Sequence, residues 1–144
     1  MSLRYLLDTN VVSSPISKLP NAEIVQRLAM VGHECAISAP VWHELTYGCH
    51  RLPSGKRRAS LESYLQDVVI TSFPVLAYDE QAAHRHGLER VRLEALGNSA
   101  LYVDGQIAAI AFVNNLILVT DNVKDFSSFS DVTVENWSKR RGLR

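Results

Sequence analysis

The run Leu116-Ile117-Leu118-Val119 is apolar at every position. A strand wetted on one face alternates apolar and polar residues, because successive side chains point to opposite sides of the sheet. A run without alternation has to be covered on both faces, the situation of strands in a parallel sheet. Arg4 to Leu7 reads as a short buried strand near the start of the chain, and ECAIS (34–38), FPVLAY (73–78) and VTVENW (132–137) are further strand candidates. Helical segments lie between them. Asn21 caps a helix that ends at Gly32 and puts Ile24, Val25 and Leu28 on one face. Residues 39–52 space Val41, Leu45 and Cys49 helically, and residues 56–71 set Leu61, Tyr64, Leu65 and Val68 on one side. A long helix runs from the cap Asp79 to the stop Gly97, and residues 103–115 form a buried one. Strands alternating with helices predict βαβ units, an α/β chain with a parallel sheet.

The length of 144 residues suits one domain, 1–144, with a sizeable core. Fifteen basic residues balance fifteen acidic ones, so no global charge advertises a nucleic-acid partner. The basic residues are clustered, however, in Lys56-Arg57-Arg58 and in the tail from Lys139 to Arg144. If acids gather in one place, a neutral total leaves basic surroundings. The two cysteines, Cys35 and Cys49, have no disulfide or zinc spacing and read as small core residues in a reducing compartment. Asn114-Asn115 interrupts the longest apolar stretch, which is too short to span a membrane. One arginine, a brief apolar run and then Asp8 do not make a signal peptide. The expected location is the cytoplasm.

Ligands of parallel sheets collect at the carboxyl ends of the strands. Asp8 ends the first strand and Asp121 follows Thr120 at the end of LILVT. Glu44 lies about one turn into the helix after ECAIS, flanked by the bulky Trp42, Leu45 and Tyr47. Asp104 sits near the start of the helix before LILVT. Carboxylates gathered at one edge repel one another and raise their own pKa values. A hard divalent cation, Mg²⁺ or Mn²⁺, removes the repulsion and activates a phosphodiester for hydrolysis. The plainer reading is that each acid only caps a helix, as in a non-catalytic binding module.

Other chemistries lack their residues. His43-Glu44 begins a zinc-protease HExxH, but Tyr47 stands where the second histidine belongs. Nucleotide-binding glycine loops and a GxSxG elbow are absent. A haloacid-dehalogenase-like phosphohydrolase with Asp8 as nucleophile would need an acid at position 10, where Asn10 stands. His84 and His86 are two apart on a helix and are expected in solvent, whereas Trp42 and Tyr47 are expected in the core.

Taken in order, LLDTNVVS, AISAPVWHELTYG, VDGQIAAIA and LVTDNVKDF resemble the PIN-domain ribonucleases, most of all the VapC-type toxins of bacterial toxin–antitoxin pairs. The motifs hhDTN, hxELxxG, DxxIAA and LVTxNxxDF extend from residue 5 to about Trp137. The resemblance implies a three-layer α/β/α sandwich around a mostly parallel sheet, and an endoribonuclease holding Mg²⁺ or Mn²⁺ on Asp8, Glu44 and Asp104. Asp121 joins these three as the candidate fourth catalytic acid, and Thr9, Asn10 and Asn122 are substrate-positioning candidates. Relatives often carry the fourth acid two places after the threonine, at Asn122 here, and Asp125 matches the acid of NxxDF. The fourth ligand therefore stays open among Asp121, Asn122 and Asp125. The resemblance further implies an RNA substrate, a cognate VapB-type antitoxin and a homodimer. The antitoxin is expected on the helices at 21–31 and 56–70, with an arginine directed at Glu44 and Asp104.

Overall fold

The computed structural model describes residues 2–138. The basic tail from Lys139 to Arg144 lies outside them. The central sheet has five strands in the order β3-β2-β1-β4-β5, and every pair is parallel. β1 is Tyr5–Leu7, β2 Cys35–Ser38, β3 Val75–Leu76, β4 Ile117–Val119 and β5 Val134–Glu135. Every residue of β1 and β2 is buried, as unalternating apolar runs require. In register, Leu7 faces Ile37 on one side and Val119 on the other.

Among the described residues eight α-helices surround the sheet: α1 Thr9–Ser13, α2 Ala22–Val31, α3 Ala39–His50, α4 Lys56–Tyr64, α5 Ile70–Ser72, α6 Glu80–Ala95, α7 Tyr102–Val113 and α8 Val123–Phe126. The result is a three-layer α/β/α sandwich. Local chemistry sets several boundaries. Asn21, Ser38 and Asp79 each accept a hydrogen bond from the backbone N–H three residues on, capping α2, α3 and α6. At the end of α6, Gly97 takes φ +72°; its N–H reaches the Glu94 carbonyl and the Asn98 N–H reaches Leu93. That pair of bonds closes the last turn, and glycine carries the left-handed backbone without strain.

Two helix faces differ from expectation. The helix begun by α4 passes through a wide π turn at Leu65–Val69, which shifts its phase by one residue. Val69 is therefore buried, and Val68 faces out. On α2, Ile24 is buried and Leu28 half-buried, but Val25 lies toward solvent. Tyr47, expected in the core, is 60% exposed, while Trp42 is half-buried against the core. His84 is exposed as expected, but His86 is buried. The i, i+2 spacing placed them on different faces, and the inner one packs against α7.

The chain runs β1, β2, β3 outward, then returns to place β4 on the far side of β1. The strand order therefore reverses between β1 and β4, and parallel sheets form their binding crevices at such a point.

Candidate metal centre

Asp8 lies at this reversal point, where its N–H donates to the Val119 carbonyl at 2.9 Å and extends the β1–β4 ladder by one residue. The side chain is 7% exposed and held at both oxygens. Oδ1 accepts from the Thr9 N–H at 2.8 Å, and Oδ2 accepts from the Thr120 hydroxyl at 2.7 Å. Asp8 does cap α1, as the plainer reading held. A cap needs one oxygen, however, and the second is engaged by a buried hydroxyl from β4's end. Burial pushes the Asp8 carboxyl up, the bonds from Thr120 and Thr9 oppose the rise, and the charges of Glu44 and Asp121 add to it.

The other acids converge on Asp8. Thr9 donates its hydroxyl to Glu44 at 2.7 Å, joining α1 to α3. Glu44 itself is exposed, so the bulky neighbours in sequence do not enclose it. Asp104 is half-buried in the first turn of α7. Its carboxyl is pushed up to about 6, chiefly by burial, then by the charges of Asp125, Asp8 and Glu44. Asp121, Asn122 and Asp125 are all exposed at the rim. The Asn10 side-chain oxygen accepts from the Asp121 N–H at 3.3 Å, and the Asn122 N–H donates to the Thr120 hydroxyl at 3.0 Å. Asp121 acts electrostatically on Asp8 and Asp125 on Asp104, so the two rim acids serve different halves of the cluster.

The structure thus sets Asp8, Glu44, Asp104, Asp121 and Asp125 at one edge of the sheet, with Thr9 and Thr120 holding Asp8, Thr9 holding Glu44 and Asn10 holding the backbone of Asp121. An all-carboxylate set in which Asp8 and Asp104 are pushed up by burial and by the charges of their neighbours suits a hard divalent ion. Among the described residues no three of these acids bring an oxygen each within 4.8 Å of the others. The tight trio that does form, Cys49, His50 and Glu62, lies elsewhere, at the junction of α3 and α4. There the Arg58 guanidinium donates to His50 Nδ1 at 3.0 Å and brings its own positive charge to the place a cation would take.

Three supporting residues escaped sequence reasoning. Thr120 was passed over as the end of an apolar strand, although the β1–β4 pairing sets it beside Asp8. His86 packs under α7: Nδ1 is 2.8 Å from the Tyr78 hydroxyl, the ring meets Tyr102 edge-on at 4.7 Å, and a Cβ on Gly105 would overlap it. Glu89 is buried and takes two bonds from Arg92, at 2.8 and 3.0 Å, and two from Ser130. It ties α6 to the loop that follows α8, the helix carrying Asp125. The spacing Arg85, Glu89, Arg92 on one helical face was the available signal.

The PIN-domain family model matches residues 5–132. Ribonuclease VapC2 of Rickettsia felis is 30% identical over 136 residues, covering 94% of this chain and 98% of that protein. Toxin FitB of Neisseria gonorrhoeae is 31% identical over 134 residues, covering 91% and 96%. Among solved structures, FitAB bound to an IR36 DNA fragment superposes with a TM-score of 0.87 at 27% identity, covering 97% of this chain and 99% of the other. VapBC2 of Rickettsia felis bound to a fragment of its promoter DNA gives 0.81 at 28%, covering 94% and 99%. With its acids at the switch point of a PIN-like sheet and relatives matched nearly end to end, this chain belongs to the PIN-domain family, within its VapC-type branch.

Proposed function

We propose that this chain is a divalent-metal-dependent endoribonuclease, the toxin of a toxin–antitoxin pair, and that the acid cluster is its catalytic site. The observation that carries this is the convergence of Asp8, Glu44 and Asp104 from three separate elements on the sheet edge where the strand order reverses, with the Asp104 carboxyl raised to about 6. Such convergence costs electrostatic energy in the metal-free chain, and helix capping does not require it. The family supports the ribonuclease reading over an Asp8 nucleophile, and Asn10 supplies no general acid for that alternative.

Asp8, Glu44 and Asp104 would hold Mg²⁺ or Mn²⁺. A bound ion of this kind polarises a phosphodiester and lowers the pKa of water. The chain's own residues set the geometry. Thr120 and the Thr9 N–H fix both oxygens of Asp8, the Thr9 hydroxyl orients Glu44, and Asn10 fixes the backbone at Asp121. Asp121, on the rim beside Asp8, would serve as the fourth catalytic acid. Asn122 and Asp125 line the same rim, Asp125 nearer Asp104. The substrate is single-stranded or looped RNA, whose unpaired bases and backbone are open to a protein site in a way that a stacked duplex is not.

The chain acts in the cytoplasm and is restrained there by a VapB-type antitoxin. Two features support this. The solved structures it resembles include a member of the VapBC family of toxin–antitoxin systems. A groove of about 480 Å³ also lies between α2 and the helix continued from α4, lined by Leu28, Ala29, Tyr64, Val68 and Phe73. It accepts an apolar antitoxin segment, and an arginine from that segment pairs with the exposed Glu44 and the half-buried Asp104. The exposed Leu88 and Val91 on α6, with Leu101 and Tyr102 at the start of α7, offer apolar surface for a homodimer. Among the described residues no helix is long and apolar enough to cross a membrane.

Expression of the chain alone, and together with its upstream gene neighbour, tests the proposal in cells. Growth arrest that the neighbour relieves and Asp8→Asn abolishes is expected. Equal growth in all cases, with soluble protein verified, would overturn the toxin assignment.

A further inference from the structure

Helix α3 has two working faces. Val41, Leu45 and Cys49 face the core at four-residue steps. On the exposed side His43, Tyr47 and Arg51 repeat at the same step, and all three are open to solvent. The His43 and Tyr47 rings are stacked, with centroids 6.3 Å apart and planes inclined by 29°. The Arg51 guanidinium lies 5.5 Å from the centre of the Tyr47 ring. One exposed tyrosine is ordinary. An imidazole, a phenol ring and a guanidinium in a ladder on the helix that carries Glu44 form a more specific arrangement. Tyr47 is three residues beyond Glu44, so it stands about 4.5 Å further along the helix axis. Both His43 and Tyr47 occupy positions that the hxELxxG pattern leaves open.

We propose that His43, Tyr47 and Arg51 form the platform for the unpaired RNA base beside the scissile phosphate. The base stacks on Tyr47, and Arg51 meets the neighbouring backbone phosphate. This rests on the ribonuclease reading above and adds the subsite that binds substrate. Aromatic faces bind bases of any sequence, and a guanidinium supports them both by its charge and by stacking. The charge matters here because a crevice of carboxylates repels the RNA backbone it must admit. Arg51 makes no ion pair among the described residues, so its charge is available to phosphate. The stripe also explains why a large ring on an otherwise well-packed helix points outward.

Initial-rate cleavage of a short unstructured RNA with Mn²⁺ tests this in the full chain, with KM and kcat measured separately at several salt concentrations. Tyr47→Ala is expected to raise KM about tenfold, the loss of one stacked base, with the effect confined to KM and with unchanged Mn²⁺ affinity by calorimetry. Tyr47→Phe keeps the ring and should restore KM to within about twofold of the parent. Arg51→Ala should raise KM and reduce its salt dependence by about one phosphate contact. Tyr47→Leu, which keeps bulk without an aromatic face, should behave like Tyr47→Ala. If Tyr47→Ala or Tyr47→Leu cleaves with the parent's KM, the platform is overturned while the nuclease reading stands. The platform is also overturned if KM is unchanged and only the complex with a co-expressed protein partner weakens, which would make the ladder a protein contact. If the parent chain itself shows no Asp8-dependent cleavage, the nuclease reading falls, and the platform with it.

Discussion

Replacing Asp104 with asparagine should stabilise the metal-free protein while destroying its metal affinity. Folding carries the Asp104 carboxyl from an ordinary 3.8 up to about 6. Full conversion of that rise corresponds to about 3 kcal/mol of folding free energy lost at neutral pH. Asp104 is only half-buried, and solvent screens its interactions with Asp125, Asp8 and Glu44, so about 1 kcal/mol is the working figure. For a chain of this size that amounts to roughly 2–4 °C in Tm. The sign follows from linkage. A carboxyl whose folded pKa is raised penalises folding wherever it is charged, so the penalty is complete above about pH 6. As the pH falls toward the unfolded value of 3.8 the penalty disappears. The advantage of Asp104→Asn should therefore be largest near neutrality and vanish at about pH 4. Thermal denaturation of both proteins in EDTA across this range, with Mn²⁺ titrations at neutral pH, measures it. A variant no more stable than the parent at neutral pH, or equally more stable at every pH, would refute the claim that Asp104 is held in a cluster of like charges.

Four further outcomes follow from the geometry. Gly105→Ala should lower stability by about 1–3 kcal/mol, because its methyl meets the buried His86 ring; adding His86→Ala should recover part of the loss, read by urea denaturation. Thr120→Val should cut activity more than stability, since it removes the hydroxyl from Asp8 Oδ2 and preserves shape; parallel rate and melting measurements separate the two. Glu89→Gln should cost roughly 1–3 kcal/mol. Glu89's pKa is depressed to about 2, so its contribution is present above about 4.5 and is lost as pH falls through about 2; the gap between the two proteins in acid denaturation should close over that interval. Single alanine substitutions of Asp121, Asn122 and Asp125, compared by cleavage rate, rank the rim residues; the Asp121 variant should be the slowest.

Where side-chain type dictates structure, the chain was legible. Unalternating apolar runs indicated a covered parallel sheet, and the capping residues Asn21 and Asp79 marked the helix starts that the structure shows. Acids at strand ends and early helix turns pointed to one edge of the sheet, because strand polarity is common to the whole sheet. Features that depend on contacts between distant segments were harder to read. The π turn at Leu65–Val69 moved burial from Val68 to Val69, a phase shift that a regular helical period cannot express. His86 was assigned to solvent because its partners come from two other segments, Tyr78 after β3 and Tyr102 and Gly105 on α7. Tyr47 was assigned to the core on hydrophobicity alone, and its ring proved to be exposed beside Arg51. Thr120 looked like an incidental strand end until the β1–β4 register placed its hydroxyl on Asp8.

The most direct test of the acid cluster as a metal-dependent nuclease site is cleavage of folded RNAs by the purified chain in Mg²⁺ or Mn²⁺, run beside Asp8→Asn and beside the parent in EDTA. Cuts confined to single-stranded or looped segments, present with either ion and lost in both controls, are the predicted result. A purified parent that leaves every RNA intact in both ions, or cleavage that persists in Asp8→Asn or EDTA, would contradict the assignment of catalysis to this site.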